Sequence, residues 1–356
     1  MPTPWQRDLD EASKQLTGWL RDKLPEARDL ELSELRQPTS SGFSNETLLF
    51  EAGWTEAGGP RRESLVVRIQ PTGYRVFPEY DLGLQFRTMA LLAETDVPVP
   101  RMYWLEEERT DLLGAPFYIM GQVQGRVPSD NPPYHAGGWM TEISAEERRA
   151  IWLGGFDCLA RIHRLDHEKA GFGFLDRPEL GATALDQQLT HYRSYFEWAA
   201  AGREQPLLER AFEWVEANKP AGEPTGISWG DARIGNIIFQ GTRPAAVLDW
   251  EMIGLGSPEM DLGWAIFLDK HHCGGLEDQR LEGFPSWEES VAEYERLSGH
   301  RVRHLSFYEI FAALRFGVIM LRLAQQMVHY GVMDEQTGRN MELDNGVTRL
   351  LAGYLG

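Results

Sequence analysis

The pattern of apolar residues changes near residue 124, and this change restricts the fold more than any other feature of the sequence. Before that point, short apolar runs bounded by turn residues predict strands, and two amphipathic stretches predict helices. The strands are expected at 47–52, 64–69, 101–106 and 116–123, and the helices at 6–24 and 79–95. After that point helical spacing dominates, over 144–165, 184–200, 205–217, 286–297 and 305–330.

This order of elements predicts an α+β protein with two lobes. A succession of strand, turn, strand, helix, strand and strand suits a small antiparallel sheet with one packed helix. We expect residues 1–121 to form this N-lobe and residues 122–356 to form a mostly helical C-lobe. A chain of 356 residues exceeds what one compact core usually holds, which agrees with two lobes.

The charge of the chain argues against two classes of partner. A formal net charge of −19 would repel the phosphate backbone of nucleic acid. The most apolar late stretch, residues 311–328, contains Arg315 and Arg322, and charges at that depth favour a buried helix over a membrane span.

The N-terminus lacks the apolar segment of a signal peptide, and Cys158 and Cys273 are expected to be free thiols. The sequence therefore predicts a cytoplasmic protein.

Three polar side chains are expected to meet around a short hairpin. Two strands are predicted within residues 237–248, and the turn-forming residues 240–244 let the chain fold back so that Asp231, Asn236 and Asp249 come together. An Asn and an Asp offer the hard oxygen ligands that magnesium prefers, and Asp231 remains to accept or orient a hydroxyl proton. Each acid alone could equally cap a turn in a solvated loop. The spacing of all three favours a site for phosphoryl transfer.

The segment Trp229-Gly-Asp-Ala-Arg-Ile-Gly-Asn236 resembles a motif of the aminoglycoside phosphotransferase-like (APH/choline kinase) family. That family's pattern is His-Gly-Asp, four residues, Asn, and then an Asp that begins a second short motif, which Asp249 matches. The stretch 256–263, which includes Asp261, also looks like the family's downstream segment. The resemblance extends over about residues 30–330 and is greatest for the subgroup related to kinase domains fused to acyl-CoA dehydrogenases. It implies a protein kinase-like two-lobe fold.

The resemblance implies a role for each matching residue. Asp231 would be the catalytic base, and Asn236 and Asp249 would hold Mg²⁺. Asp261 and His163 would be structural and hold the catalytic loop. The nucleotide, ATP, would be bound by Ser41, Gly42, Phe43, Ser44 and Asn45 in a loop over the phosphates, Arg68 on a strand, and Met120, Gln122 and Val123 between the lobes. An ordinary hairpin turn is the alternative for the loop, and a simple core position is the alternative for Met120.

Four positions depart from the family pattern. Trp229 stands where the family has His, and Arg68 stands where it has Lys. Gln85 occupies the expected position of the helix carboxylate that pairs with that Lys, and Gly121, in the connection between the lobes, stands where an acid is common. Arginine keeps the charge, but its guanidinium is not equivalent to an ammonium group. Two alternatives of other classes follow: a non-catalytic nucleotide-binding pseudokinase, and a scaffold whose cleft binds a peptide or an acyl chain.

The implied function is ATP-dependent phosphorylation of a hydroxyl group on a small molecule, with neither nucleic acid nor membrane as a partner. The subgroup points to a hydroxyacyl-CoA or another hydroxylated metabolite, and an aminoglycoside or related antibiotic is the alternative acceptor. Residues 129–139 are expected either to border the acceptor site or to form a surface loop packed by Tyr134 and Trp139. Arg315 and Arg322 either bind an anionic acceptor or pair with core acids.

Overall fold

The computed structural model describes residues 7–38 and 45–356 and divides them into two compact units. The first unit runs to Ala90 and resumes over Pro100–Val123, and the second comprises Leu91–Val99 and Gln124–Gly356. This division differs from the predicted one in two respects. The boundary lies after Val123 and not after residue 121. The end of a helix and the proline-rich segment after it, residues 91–99, pack with the second unit.

The first unit is built on an antiparallel sheet whose strands lie in the order β1-β2-β3-β5-β4. The sheet is accompanied by two helices, and the elements in chain order are α1 (Leu9–Lys23), β1 (Arg28–Leu32), β2 (Glu46–Glu56), β3 (Gly59–Ile69), α2 (Leu82–Leu92), β4 (Met102–Glu106) and β5 (Phe117–Gly121). The hairpin between β2 and β3 turns at residues 57–58, so residues 54–56 and 59–62, which lie outside the strands predicted at 47–52 and 64–69, also belong to the sheet. Those residues pair across the hairpin because the strands continue almost to its tip.

The core of the first unit lies between α1 and one face of the sheet. Asp8 caps α1 by accepting from the backbone amides of Asp10 and Glu11, which fixes where the helix begins. Trp19 on the buried face of α1 meets the ring of Phe117 edge-on, with 5.0 Å between centroids. Strand β1 was not predicted because it is a short edge strand in which charged residues alternate with leucines.

The second unit is mostly helical. Its helices are α3 (Ala145–His163), α4 (Ala184–Ala200), α5 (Pro206–Ala217), α6 (Pro258–His272), α7 (Trp287–Ser298), α8 (Leu305–His329), α9 (Glu335–Leu343) and α10 (Gly346–Leu355). The predicted helices are confirmed to within a few residues, whereas α6, α9 and α10 were missed. Helix α6 is buried from Pro258 to Asp269 on every side, so it carries no amphipathic period by which it could be recognised.

Two small antiparallel ribbons of the second unit position the polar residues of interest. The predicted hairpin is confirmed as β7 (Ile237–Gln240) and β8 (Arg243–Val247), which turn at residues 241–242. A second ribbon, β6 (Gly226–Ser228) paired with β9 (Gly254–Gly256), was not predicted. The loops at the ends of these ribbons contain residues 229–236 and 248–253.

Within residues 7–38 and 45–356, no helix combines the length and the apolar character needed to cross a membrane. Helix α8 is long and contains the apolar stretch 311–328, but Arg315 lies buried in its middle, as expected for a core helix. Cys158 and Cys273 are both buried free thiols, as predicted.

Both thiols should react slowly in the folded chain. Burial raises the pKa of Cys158 to about 12 and that of Cys273 to about 11. Because the thiolate is the nucleophile, we expect an aromatic disulfide reagent at pH 8 to modify the native thiols about 100-fold more slowly than those of the urea-unfolded chain. Absorbance measures both rates, and rapid modification of either thiol in the native chain would contradict the buried placement.

Candidate active site

The loop between β6 and β7 depends on a glycine at position 230. Gly230 has φ of 93°, a backbone conformation that residues with a Cβ rarely adopt. A Cβ built at this position would also overlap the carbonyl oxygen of Met252. Glycine is therefore required here, and the turn that it makes presents Asp231 at the next position.

The carboxylate of Asp231 is held by three donors. Trp264 Nε1 donates to Oδ1 at 2.8 Å, and Asn236 Nδ2 donates to Oδ2 at 2.6 Å. Arg233 Nε lies 3.0 Å from each of the two oxygens. Only 14% of the Asp231 side chain is exposed. The carboxylate is therefore fixed in direction while one edge still reaches the surface.

The orientation of Asn236 makes it a suitable metal ligand. An ionised carboxylate can only accept hydrogen bonds, so the amide nitrogen of Asn236 must face Asp231, and it also donates to the Asp231 carbonyl at 3.1 Å. The amide oxygen Oδ1 then points elsewhere. A carbonyl oxygen of this kind is the hard ligand that Mg²⁺ takes.

The backbone of Asp249 lies beside that of Asn236. The amide of Leu248 donates to the Asn236 carbonyl at 2.9 Å, and the carbonyl of Leu248 accepts from Trp229 Nε1 at 2.9 Å. Asp249 itself adopts a left-handed conformation with φ of 61°, which Asp tolerates better than most residues. Asp231, Asn236 and Asp249 are thus brought to one place, and two of them supply the oxygen chemistry that a magnesium site needs.

Arg233 is a residue of this site that the sequence interpretation passed over. Besides Asp231, its guanidinium pairs through Nη1 with Asp130. Burial opposes the charge of Arg233, but the negative charges of Asp231, Asp130 and Asp249 outweigh it and raise the pKa of the guanidinium. The sequence did offer a signal for this role, because Arg233 is the one cationic residue between Asp231 and Asn236 in a strongly acidic chain.

Asp261, at the start of α6, holds the loop from behind. Its carboxylate is fully buried and accepts from Ser228 Oγ at 2.8 Å and from the backbone amides of Trp229 and Gly230 at 2.7 and 2.9 Å. His163 Nε2 lies 3.0 Å from the same carboxylate. Burial alone would raise the pKa of Asp261, but His163 and the backbone donors lower it overall.

Trp229, which replaces the histidine of the family pattern, fills space instead of contacting Asp261 through its side chain. The indole is 1% exposed and packs against Trp250, with 5.7 Å between ring centroids. Its Nε1 donates to the carbonyl of Leu248. Trp229 therefore ties the loop that bears Asp231 to the segment that bears Asp249.

The nucleotide-binding residues predicted in the first unit are described in part. Arg68 on β3 donates from Nη1 to Thr47 Oγ1 at 3.3 Å, and Gln85 accepts from the Tyr118 hydroxyl at 3.4 Å. Asn45 and Met120 are buried, the amide of Gln122 donates to the Ser64 carbonyl, and Val123 ends the unit. Ser41, Gly42, Phe43 and Ser44 lie outside the described residues.

The segment 129–139 is anchored to α6 and also reaches Arg233. The Tyr134 hydroxyl donates to Asp269 Oδ1 at 2.8 Å, and His135 Nε2 lies 2.9 Å from the same oxygen. Asp130 is 38% exposed and pairs with Arg233. The segment is therefore packed through Tyr134, as one of the two expectations stated. Its residue Asp130 contacts Arg233, which in turn pairs with Asp231.

Comparison with known families gives a match over residues 36–300 to the model of the APH phosphotransferase enzyme family. The chain is 27% identical over 272 residues to human acyl-CoA dehydrogenase family member 11, and this match covers 73% of this chain and 32% of that protein. It is 29% identical over 266 residues to mouse acyl-CoA dehydrogenase family member 10, covering 72% of this chain and 24% of that protein. The chain thus spans about a third or less of the length of these relatives.

Solved structures resemble the whole chain. A Ralstonia eutropha protein described provisionally as an aminoglycoside phosphotransferase matches 96% of this chain and 98% of its own, with a TM-score of 0.69 and 24% identity. Choline kinase LicA from Streptococcus pneumoniae matches 96% of this chain and 98% of its own, with a TM-score of 0.56 and 13% identity. An aminoglycoside phosphotransferase from Streptomyces rimosus, solved with ADP and streptomycin, matches 86% of this chain and 98% of its own, with a TM-score of 0.51 and 19% identity. At these identities the likeness establishes the fold, which confirms the predicted two-lobe kinase-like class.

The buried carboxylate of Asp261 should be needed for stability. In Asp261→Asn, an amide group would face backbone donors and the ring of His163, leaving buried groups without acceptors. We expect the free energy of unfolding, from urea denaturation, to fall by about 3–5 kcal/mol. Asp166→Asn, which alters an exposed acid paired with Lys169, should leave the urea midpoint nearly unchanged.

The same pair of proteins gives a pH test. Because the pKa of Asp261 is lowered on folding, its stabilisation is present above the pKa of about 3.9 of an unfolded Asp and is lost as pH falls through the lower folded value. The stability difference between wild type and Asp261→Asn should therefore be constant near neutral pH and narrow below about pH 4. A difference that stayed constant to lower pH would contradict the lowered pKa.

Proposed function

Because the chain belongs to the APH phosphotransferase enzyme family, we propose that it transfers the γ-phosphoryl group of ATP to a hydroxyl group of a small molecule with the help of Mg²⁺. The observation that carries the proposal is the oriented carboxylate of Asp231, fixed by Trp264 and Asn236. Phosphoryl transfer asks a protein mainly for positioning and for neutralisation of charge. This loop supplies groups suited to both.

Asp231 acts as the base in this proposal. Its exposed edge accepts a hydrogen bond from the acceptor hydroxyl and so orients an oxygen lone pair toward the phosphorus. As the new oxygen–phosphorus bond forms and ADP leaves, the hydroxyl proton passes to Asp231. Its other contacts, to Trp264 and Asn236, keep the carboxylate from rotating away from the hydroxyl.

Asn236 Oδ1 and the Asp249 carboxylate are the groups that would hold Mg²⁺. The metal ion would supply charge neutralisation on the phosphate oxygens. Arg233 adds a permanent positive charge to the same loop, two residues after Asp231. A fixed guanidinium in a partly buried site is suited to stabilising negative charge that develops on a transferring group.

For ATP itself we propose the residues that match the family pattern in the first unit. These are Ser41, Gly42, Phe43, Ser44, Asn45, Arg68, Met120, Gln122 and Val123. The Streptomyces rimosus enzyme was solved with ADP, which supports a nucleoside diphosphate as the second product of the proposed reaction. Two buried free thiols support a reducing, cytoplasmic location.

The names of the relatives support one acceptor class. They are acyl-CoA dehydrogenase family members, so a hydroxylated acyl-CoA or a related hydroxylated metabolite is the acceptor that we propose first. An aminoglycoside is the second candidate, supported by the exposed acidic group of Asp130 next to the site and by the net charge of −19. A cationic acceptor would be attracted by both.

The assignment of the base is tested with labelled ATP and a panel of hydroxylated acceptors. Asp231→Asn should lower kcat about 1000-fold and leave ATP binding intact, because the amide keeps the shape but cannot take the proton. Asp166→Asn is the matched control and should retain wild-type kcat. Transfer by Asp231→Asn at the wild-type rate would remove Asp231 as the base. Tight binding of ATP without transfer to any acceptor would favour a pseudokinase.

The metal ligands are tested without turnover. Asp249→Asn keeps the side-chain length and a residue type that tolerates the left-handed backbone, but it removes the charge. We expect the affinity for Mn²⁺, a magnetic substitute for Mg²⁺, to fall at least about 10-fold in the presence of a non-hydrolysable ATP analogue. Electron paramagnetic resonance measures the free ion. Unchanged affinity would show that Asp249 does not ligate the metal.

A further inference from the structure

Arg315 of α8 is a buried cation, and the expectation that it pairs with a core acid is wrong. It is 1% exposed, and within the described residues it forms no ion pair with a carboxylate. Its one hydrogen bond goes from Nη2 to the carbonyl oxygen of Gly230, at 3.0 Å. Nε and Nη1 are buried without a hydrogen-bond partner among those residues. Arg315 is thus directed at the peptide bond that leads into Asp231.

Aromatic rings surround the guanidinium of Arg315 where a carboxylate would be expected. Its central carbon lies 4.9 Å from the ring centroid of Tyr192, 4.6 Å from Trp264 and 5.8 Å from Phe311. Ring faces stabilise a cation, but less strongly than a buried counter-ion does. An apolar residue would fill this core position without the cost of desolvating a charge. The contact that accounts for a polar side chain here is the hydrogen bond to the Gly230 carbonyl.

The Gly230–Asp231 peptide needs an external restraint. Glycine has no side chain to limit its backbone, and at φ of 93° the following peptide plane can rotate more freely than after any other residue. The amide on one side of Gly230 is bound by Asp261 at 2.9 Å, and the carbonyl on the other side is bound by Arg315. Since this peptide plane sets the direction of the Asp231 Cα–Cβ bond, Arg315 fixes where the carboxylate can point.

A second contact reaches Asp231 through its side chain. Arg315 lies over the indole of Trp264, and Trp264 Nε1 donates to Asp231 Oδ1 at 2.8 Å. One residue therefore supports both the backbone before Asp231 and the ring that orients its carboxylate. The two contacts reach Asp231 through different elements, the loop after β6 and helix α6, and both depend on Arg315.

We propose that Arg315 is a positioning residue for Asp231, which acts through the Gly230 carbonyl and the Trp264 indole without touching the substrate. Its kinetic consequence rests on the proposed function, because it assumes that Asp231 is the base. Its structural consequence, a single orientation of the Gly230–Asp231 peptide, does not depend on that assumption.

The kinetic test compares three variants. Arg315→Met keeps an apolar stem but removes the donor, and we expect kcat to fall about 100-fold while KM for ATP stays within about 2-fold of wild type. Arg315→Lys keeps a cation that can still donate to the Gly230 carbonyl, so it should recover part of the loss. Arg296→Met is the matched control, since Arg296 on α7 has a side chain that is 66% exposed and pairs with Glu293. It should keep wild-type kcat.

The structural test reads the peptide directly. Gly230-Asp231 is the only Gly-Asp pair in the sequence, so carbonyl-¹³C glycine with ¹⁵N aspartate gives one identifiable amide signal, that of Asp231, from the peptide that Arg315 binds. In wild type and in Arg296→Met this signal should be single and sharp. In Arg315→Met it should broaden or double as the peptide samples a second orientation. Arg315→Lys should lie between the two.

The outcomes separate the two claims. A sharp, unshifted Asp231 amide signal together with wild-type kcat in Arg315→Met would overturn the positioning role. If Arg315→Met does not fold, Arg315→Lys, Trp264→Phe and their double variant replace it. Their losses in kcat should then be less than multiplicative, because both act on Asp231, and a multiplicative result would overturn the inference. Full activity in Asp231→Asn would instead overturn the proposed base, while the Asp231 amide signal of the Arg315 variants still tests the positioning of the peptide.

Discussion

The buried carboxylate of Asp261 is the interaction on which the rest of the candidate site depends. It accepts from the backbone amides of Trp229 and Gly230 and from the Ser228 hydroxyl, and His163 stands against it from α3. A loop has no ladder of its own to satisfy its amides, so a buried acceptor of this kind determines its path. The acid is stable there because its donors outweigh the cost of burial.

From that anchor the polar groups of the site follow in sequence. The loop held by Asp261 presents Asp231 one residue after a glycine that no other residue can replace, and Asn236 returns from the end of the same loop to bind the carboxylate. In a chain of net charge −19, Arg233 pairs with this carboxylate, and Arg315 binds the carbonyl of the residue before it. One cation faces the surface and the other the core, so the structure assigns them different tasks.

The sequence predicted the parts of this arrangement that local patterns encode. Short apolar runs within β2 and β3 indicated strands, α3 and α8 have helical spacing, and the spacing of Asp231, Asn236 and Asp249 around a hairpin indicated a site. The contacts that complete it are formed between residues distant in sequence. Arg315 reaches Gly230 across 85 positions, and no pattern near either residue records that contact.

Two further misses have physical origins of their own. Helix α6 is buried on every side, so the period of 3.6 residues that marks a surface helix is absent from it, yet it carries both Asp261 and Trp264. Ribbon β6–β9 has three residues in each strand and is rich in glycine, which leaves too short a run to recognise. Elements that hold an active-site loop from the interior are therefore the ones that a single sequence hides best.

The central claim is that the site moves a phosphoryl group onto an alcohol, and phosphorus NMR of the wild-type chain tests it most directly. With Mg²⁺, ATP and a hydroxylated acyl-CoA or another accepted alcohol, we predict a new phosphate monoester resonance that grows in step with ADP and vanishes when the metal is chelated. Growth of inorganic phosphate alone, or unchanged ATP across the whole acceptor panel despite nucleotide binding, would contradict it.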